Sequence, residues 1–373
     1  MKRSILAALV VGLTLVSFVS PVQAKQVLYL AALADRRIDV FSLNEETGAI
    51  KLQSRTKLPG SAGPLSISPC GHFMYAAMTN EPGKPASVAT LKRAADGSLK
   101  LLKTSKMKTR APYIRIHTSG KLLLAAHYGS GEVTTYRVKQ GICTDEMLDA
   151  FKTAKTAHCI ELDPSGRFAF VPHTSPNRVY QFVVNAATGR TVPNVQKYVT
   201  GPEPGHAYHQ PRHYAHHPTL SIGYTSNERG GGITVWSFTS LTGTLNELQT
   251  ISSLPLDANR AKWAAADIQI TPNGKFVYVS NRHLVDSEKK AKDTLAGFSI
   301  DSKTGRVTPI GQFRTAWFSR SFCIDLKGKF VFAAGQKSNK MAAFRIEASG
   351  KLTRLKTYKT GKVPIWVTFG EVQ

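Results

Sequence analysis

The sequence predicts an all-β protein: a seven-bladed β-propeller with four antiparallel strands per blade, the last blade closed by both chain ends. Three observations predict it. One phrase, an apolar strand, a tight turn and a second apolar strand, is written six times: SISPCGHFMYAAMT (66–79), RIHTSGKLLLAAHY (115–128), ELDPSGRFAFVPHT (161–174), AHHPTLSIGYTSNE (215–228), QITPNGKFVYVSNR (269–282) and CIDLKGKFVFAAGQ (323–336). The turn residues Pro69, Thr118, Pro164, Pro218, Pro272 and Leu326 follow one another at steps of 49, 46, 54, 54 and 54 residues, a period that means stacked units. No segment keeps a helical period; apolar alternation bounded by Gly, Asn and Ser turns is the signal of strands.

Within a unit the strands read in order. The first is an alternating run before the turn, such as Cys159-Ile160-Glu161-Leu162, and the second follows it, such as Phe276-Val277-Tyr278-Val279. The third strands are Ala86–Lys92, Glu132–Val138, Arg178–Val184, Gly232–Phe238, Thr294–Ile300 and Lys340–Ile346. A Gly-containing turn (Thr188-Gly189, Thr242-Gly243, Thr304-Gly305) then leads into a short fourth strand. Four antiparallel strands in about 50 residues make a propeller blade. The ends supply the seventh: Pro364 to Phe369 as its first strand, then Val27–Ala32, Ile38–Leu43 and Leu52–Lys57. Pairing the two ends leaves no open sheet edge. The stretch Val285–Asp293 lengthens one connection and reads as a mobile surface loop.

Residues 1–24 stand outside the repeat. Lys2 and Arg3, an apolar run from Ile5 to Val19, and small residues ending at Ala24 describe a secretory signal peptide cleaved after Ala24. The propeller domain is therefore expected over residues 25–373 of an exported, periplasmic protein that is not an integral membrane protein. The formal net charge is +25, and two of those positive charges leave with the leader. Such an excess favours anionic partners. The basic residues are denser at Lys100 to Arg115 and Lys337 to Lys362, but no nucleic-acid-binding motif accompanies them, so no nucleic-acid role is expected. The plain reading of both stretches is a solvated basic face. Cys70, Cys143, Cys159 and Cys323 fit no zinc or redox spacing. Export permits disulfides and four cysteines allow three pairings, yet at least two are expected as buried thiols.

Because the units repeat, odd residues stand out by position. Six residues before each turn anchor lie Gly63, Pro112, His158, Arg212, Ala266 and Arg320; ten after it lie Thr79, Tyr128, Thr174, Glu228, Arg282 and Gln336. The first and second strands are antiparallel, so both positions fall at one mouth of the channel. Arginine presents a fork of donors to a carboxylate, a phosphate or a developing oxyanion. Histidine and glutamate can move a proton. The bland alternative is a set of salt bridges between blades.

The phrases Gln210-Pro211-Arg212-His213, Ser226-Asn227-Glu228, Trp263-Ala264-Ala265-Ala266-Asp267-Ile268, Ser319-Arg320-Ser321-Phe322 and Ala333-Ala334-Gly335-Gln336 resemble the seven-bladed lactonase family. That family includes propeller-type 6-phosphogluconolactonases and muconate-lactonising enzymes. The resemblance runs from about Val27 to Phe369. It implies a metal-independent hydrolase of a small anionic sugar-acid lactone, with His158, Arg212, Glu228 and Arg320 as catalytic residues and Arg282, His213 and Gln336 around the substrate. It leaves acid and base open between His158 and Glu228. The alternatives are a muconate cycloisomerase-like enzyme, or a non-catalytic propeller that binds an anionic envelope component or partner protein. No cofactor or metal is expected. The stretch 205–217 carries five histidines, but strand alternation should turn His213 and His217 away from Arg212.

Overall fold

The computed structural model describes residues 25–201 and 209–372; the expected leader and His206 of the histidine-rich stretch lie outside them. Seven blades of four antiparallel strands follow the predicted order. From the channel outward, blade 1 is Ser61–Ile67, Phe73–Thr79, Ser87–Arg93 and Leu99–Lys106, and blade 2 is Tyr113–Ile116, Leu122–His127, Glu132–Lys139 and Ile142–Lys152. Blade 3 is Glu161–Leu162, Phe168–His173, Arg178–Val184 and Thr191–Thr200, and blade 4 is His209–His216, Ile222–Arg229, Gly232–Thr239 and Thr244–Ser252. Blade 5 is Trp263–Ile270, Phe276–His283, Thr294–Ile300 and Val307–Arg314, and blade 6 is Ser319–Ile324, Phe330–Gly335, Lys340–Ile346 and Leu352–Lys359. Blade 7 takes Pro364–Glu371 from the end of the chain and Gln26–Ala32, Arg37–Leu43 and Ile50–Lys57 from its start.

Sequence explains the layering. Second strands such as Leu122–His127 and Phe330–Gly335 are buried at every position, whereas the outermost strand Leu352–Lys359 buries only Leu352 fully and turns its lysines and arginine to water. Each blade is apolar on both faces and packs between two neighbours. Tyr29, Ala31 and Val40 of blade 7 meet Leu65, Met74 and Ala76 of blade 1, while Leu28 and Leu30 meet Phe330 and Phe332 of blade 6. Burying such side chains stabilises by about 1.5–3 kcal/mol each. The closing pair runs from Gln26↔Glu371 through Leu30↔Val367. Gln26 also bonds blade 6 by donating from Nε2 to Asp325 Oδ2 (2.9 Å) and accepting from Leu326 N (2.8 Å).

The repeated turn has a repeated cap. Just before the anchor, Ser68, Asp163, Thr271 and Asp325 accept the backbone N–H of Phe73, Phe168, Phe276 and Phe330. His117 and His217 fill that place in blades 2 and 4. Their Nδ1 accepts from the turn backbone, which leaves Nε2 to donate to Gly166 O (2.8 Å) and Gly274 O (3.0 Å) of the next blade.

A second device joins four pairs of blades: Tyr29, Tyr75, Tyr224 and Tyr278 donate to the carbonyls of Gly97, Gly141, Gly305 and Gly350 at 2.8–2.9 Å. These glycines turn the chain at positive φ (70° to 85°) before each fourth strand. Tyr224→Phe leaves a buried carbonyl unpaired and is expected to cost about 1–2 kcal/mol. Guanidinium unfolding checks this; an unchanged midpoint would show that the bond adds no net stability.

Val285–Asp293, expected as a mobile surface loop, is a largely exposed connection between two strands of blade 5. It carries a one-turn 3-10 helix (Glu288–Lys290), and its last residue, Asp293, is buried and accepts from Phe318 N (2.8 Å). The cysteines, left open to pairing, are all free thiols: Cys143, Cys159 and Cys323 are buried and Cys70 is exposed.

Candidate active site

The residues singled out by repeat position meet at one mouth because the register brings them there. Ser319 pairs with Gly335, Pro211 with Asn227 and Ala264 with Arg282, so starts of first strands face ends of second strands. Two arginines owe their aim to matching distortions. Gln210 (φ 66°) and Phe318 (φ 60°) adopt left-handed backbone two residues before Arg212 and Arg320. In each blade the ladder then skips the arginine: Pro211↔Asn227 is followed by His213↔Ser226, and Ser319↔Gly335 by Ser321↔Ala334. A bulge of this kind re-aims a side chain and is common beside active sites.

The same bulge corrects one expectation. His213 was to point away from Arg212 by alternation. The extra residue in the ladder breaks the alternation, and His213 Nε2 lies 3.2 Å from Arg212 Nη1. Its Nδ1 lies 2.8 Å from Asp267 Oδ1. The carboxylate accepts a hydrogen bond from Nδ1–H, so Nε2 is left to accept from the guanidinium. Asp267 is positioned by a one-residue register shift in blade 5, and its Oδ2 accepts from Phe322 N (3.2 Å). Of the other three described histidines of the stretch, His217 binds Gly274 O, His216 Nδ1 meets Tyr214 OH, and His209 lines a cavity with Glu228 and Arg282.

Glu228 is the centre of charge. Arg282 Nη2 reaches its Oε1 at 2.5 Å and Arg212 Nε stands 3.5 Å from the same oxygen. Arg282 also donates to Ala265 O (2.8 Å). On the other side, Arg320 Nη2 lies 3.4 Å from His158 Nε2, Tyr128 meets the His158 ring edge-on (5.6 Å), and His158 Nδ1 is buried without a hydrogen-bond partner.

A cavity of about 710 Å³ opens above these groups, walled by Thr109, Arg110, Pro112, Tyr128, Gly129, Ser130, His158, Glu228 and Arg320. Beneath it a cleft of about 50 Å³, enough for a water or two, runs past Arg212, His213 and the ring positions Gly63 and Pro112 to Trp366. Tyr113 of blade 2 meets His213 of blade 4 (5.3 Å) and Trp366 of blade 7 (5.1 Å) edge-on. A further cavity of about 550 Å³ lies beyond Glu228 and Arg282. Of the sequence candidates, His158, Arg212, His213, Glu228, Arg282 and Arg320 converge here. Gln336 lines none of these three cavities; its backbone binds Phe318 O, and its Oε1 is buried without a partner.

Sequence reasoning did not single out Arg110, Asp267 or Trp366 as site residues. Arg110 could have been found as the basic residue two before Pro112, the blade 2 copy of the ring position. Asp267 follows Ala266, the blade 5 copy.

Electrostatics set the protonation states. Burial, and then the field of Arg212, His213, Arg320 and Arg282, holds the His158 imidazole well below its ordinary value. Burial also pushes His213 down to about 4, against the pull of Asp267. Both rings are therefore neutral at pH 7. Burial pushes the Glu228 carboxyl up, but Arg212, Arg282 and Arg320 outweigh it and hold the group below 4.5, ionised. Burial and the neighbouring Arg282 bring Arg320 down to about 10, still charged. The site thus has an ionised carboxylate and a neutral imidazole beside several guanidinium groups. Such an arrangement can bind an anion, meet a developing oxyanion and accept a proton.

Comparisons with known proteins agree with this architecture. A family model described as "Lactonase, 7-bladed beta-propeller" matches residues 27–369. The chain is 29% identical over 346 residues to a 6-phosphogluconolactonase of Serratia proteamaculans, covering 92% of this chain and 98% of that one. It is 28% identical over 345 residues to a 6-phosphogluconolactonase of Yersinia enterocolitica, with coverage of 92% and 98%. The solved structure of a periplasmic gluconolactonase of Pseudomonas aeruginosa shares the fold at a TM-score of 0.80, with 18% identity and coverage of 93% and 99%.

Proposed function

Since the chain belongs to the seven-bladed β-propeller lactonase family, we propose that it hydrolyses the cyclic ester of a sugar acid that carries an anionic group, as a 6-phosphogluconolactonase does. The observation that carries this reading is the single cavity walled by Glu228, His158 and Arg320. Arg110, Arg212, Arg282 and Arg320 stand around one ionised glutamate, so positive charge is left over for an anionic substrate.

The chemistry follows from which atoms are committed. Both arginine contacts to Glu228 fall on Oε1, so Oε2 keeps its lone pairs for a water. Glu228 takes one proton from that water as its oxygen attacks the lactone carbonyl. The carbonyl oxygen becomes an alkoxide, and Arg320, with Arg110 on the rim, meets that charge. The tetrahedral intermediate collapses, the bond from acyl carbon to ring oxygen breaks, and Glu228 returns its proton to the ring oxygen. The product is a hydroxy acid, which ionises to solvent. His158, neutral and with Nε2 against Arg320, holds that guanidinium in place. His213, locked by Asp267, does the same for Arg212.

The test is acid release from 6-phosphogluconolactone and gluconolactone, measured above spontaneous hydrolysis. Arg320→Ala is expected to lower kcat/KM about 10²-fold, the usual cost of one oxyanion donor. A chelator should leave the rate unchanged, and loss of activity with EDTA would overturn the metal-independent mechanism. Absence of turnover on every lactone would leave the non-catalytic, anion-binding alternative. Neither relative at 28–29% identity is a muconate-lactonising enzyme. Export is part of the same proposal: the basic start and apolar run before Ala24 support it, and a mature N-terminus at Lys25, read by mass spectrometry, tests it.

A further inference from the structure

A second basic cavity lies away from the channel, at the rim between blades 5 and 6. It has a volume of about 480 Å³, and its wall carries Arg314, Lys340, Arg354 and Lys359. Three of these belong to the basic stretch Lys337 to Lys362, which the site above does not use. Among the described residues, Glu288 is the one carboxylate of that wall, and Lys340 takes it (2.8 Å). The guanidinium groups hold neutral acceptors instead: Arg314 donates to Ala291 O (2.7 Å), and Arg354 to Arg314 O (2.9 Å) and Thr357 Oγ1 (2.7 Å). Burial, then repulsion from Arg314, lowers the Arg354 pKa. Two further polar atoms of the wall, Trp317 Nε1 and Thr315 Oγ1, are buried without a hydrogen-bond partner in the protein.

Four cations against one acid, two of them in mutual repulsion, with an indole and a hydroxyl unsatisfied beside them, describe a half-made set of contacts. A compact oxyanion completes it. Planar guanidinium forks suit tetrahedral oxyanions better than they suit halide or a single carbonyl. The face is also defined: Ser319 pairs with Gly335, Gly335 with Lys340 and Lys340 with Lys359, so the groove opens on the same face as the catalytic mouth.

We propose that the groove walled by Arg314, Lys340, Arg354 and Lys359 is a binding site for a multiply charged phosphate-class oxyanion, separate from the hydrolytic centre. It does not depend on the lactonase reading. The probe is inorganic pyrophosphate, titrated calorimetrically into the mature protein at about 0.15 M ionic strength, where exposed charges more than about 8 Å apart are screened. The channel mouth also attracts anions, so the groove is defined as the binding that Lys359→Glu and Arg354→Gln weaken at least tenfold and Arg110→Ala leaves intact. Both groove variants should keep the wild-type thermal unfolding midpoint, which shows that they fold. A parallel arm uses phosphatidylcholine vesicles with and without phosphatidic acid. Binding of pyrophosphate alone assigns the site to a free phosphate, and binding of the acidic vesicles, lost in the same variants, assigns it to a phosphate on a lipid. No binding of either probe, or binding indifferent to both groove variants, overturns the proposal.

Discussion

Glu228→Gln is expected to lower kcat/KM about 10³-fold, within the range typical of a lost general base. Glutamine keeps the shape and can still accept from Arg282, so the loss isolates the proton acceptor. The pH profile sharpens the test. The arginines hold the carboxyl below 4.5, so the base is ionised throughout the neutral range and kcat/KM should stay flat from pH 7 to pH 5. His158 is itself held well below its ordinary value and would leave that range flat too, so the glutamine variant is what separates the two. An inflection between pH 7 and pH 5, or a glutamine variant that keeps more than about a tenth of the activity, would take the role of base from Glu228. His158→Gln, by contrast, should retain measurable turnover with an altered kcat, because His158 acts through Arg320.

Acid should destabilise the propeller well above the carboxylate range. His173, His213 and His216 are held neutral by burial down to about pH 4. Unfolding exposes each to water, where it protonates below 6.5. Between pH 6.5 and 4 the unfolded chain therefore binds more protons than the folded one, and stability falls as pH falls; above 6.5 the full contribution is present. Asp293 works the other way. Burial raises its carboxyl to about 6, so it adds stability as pH falls from 6 toward 3.8. One opposing group does not cancel three. The net loss between pH 7 and 5 is several kcal/mol, at about 1.4 kcal/mol per pH unit for each histidine. For a chain of this length this corresponds to a Tm lower by roughly 6 °C. Thermal unfolding at the two pH values measures it, and His173→Gln should flatten the slope. A Tm that does not move would mean that these rings are protonated in the folded state or already neutral in the unfolded chain.

The legible part of the site was legible for one reason. His158, Arg212 and Arg320 occupy a position that is glycine, proline or alanine in the other copies, and Glu228 and Arg282 occupy its partner position. Equivalent positions of a propeller share one mouth, so irregular residue types there converge. Gln336 shows the limit of that logic: it sits at the same repeat position as Glu228, yet it lines neither cavity that holds His158 and Arg320. Arg110 escaped because it lies two residues before the ring position, outside the two repeat positions whose residue types stand out.

The six repeated phrases, with the strand-like chain ends, determined seven blades, their strand order and the closure of the ring, because alternation and turn chemistry are local and survive without knowledge of neighbours. Only the folded molecule decided which charged groups are committed and which remain available. Arg212 and Arg320 are aimed by bulges, and a bulge is a relation between two strands rather than a property of either. His213 turns inward for the same reason. The neutrality of His158 comes from burial first and then from guanidinium groups on three blades, which also keep Glu228 ionised, and these groups meet only when the ring closes.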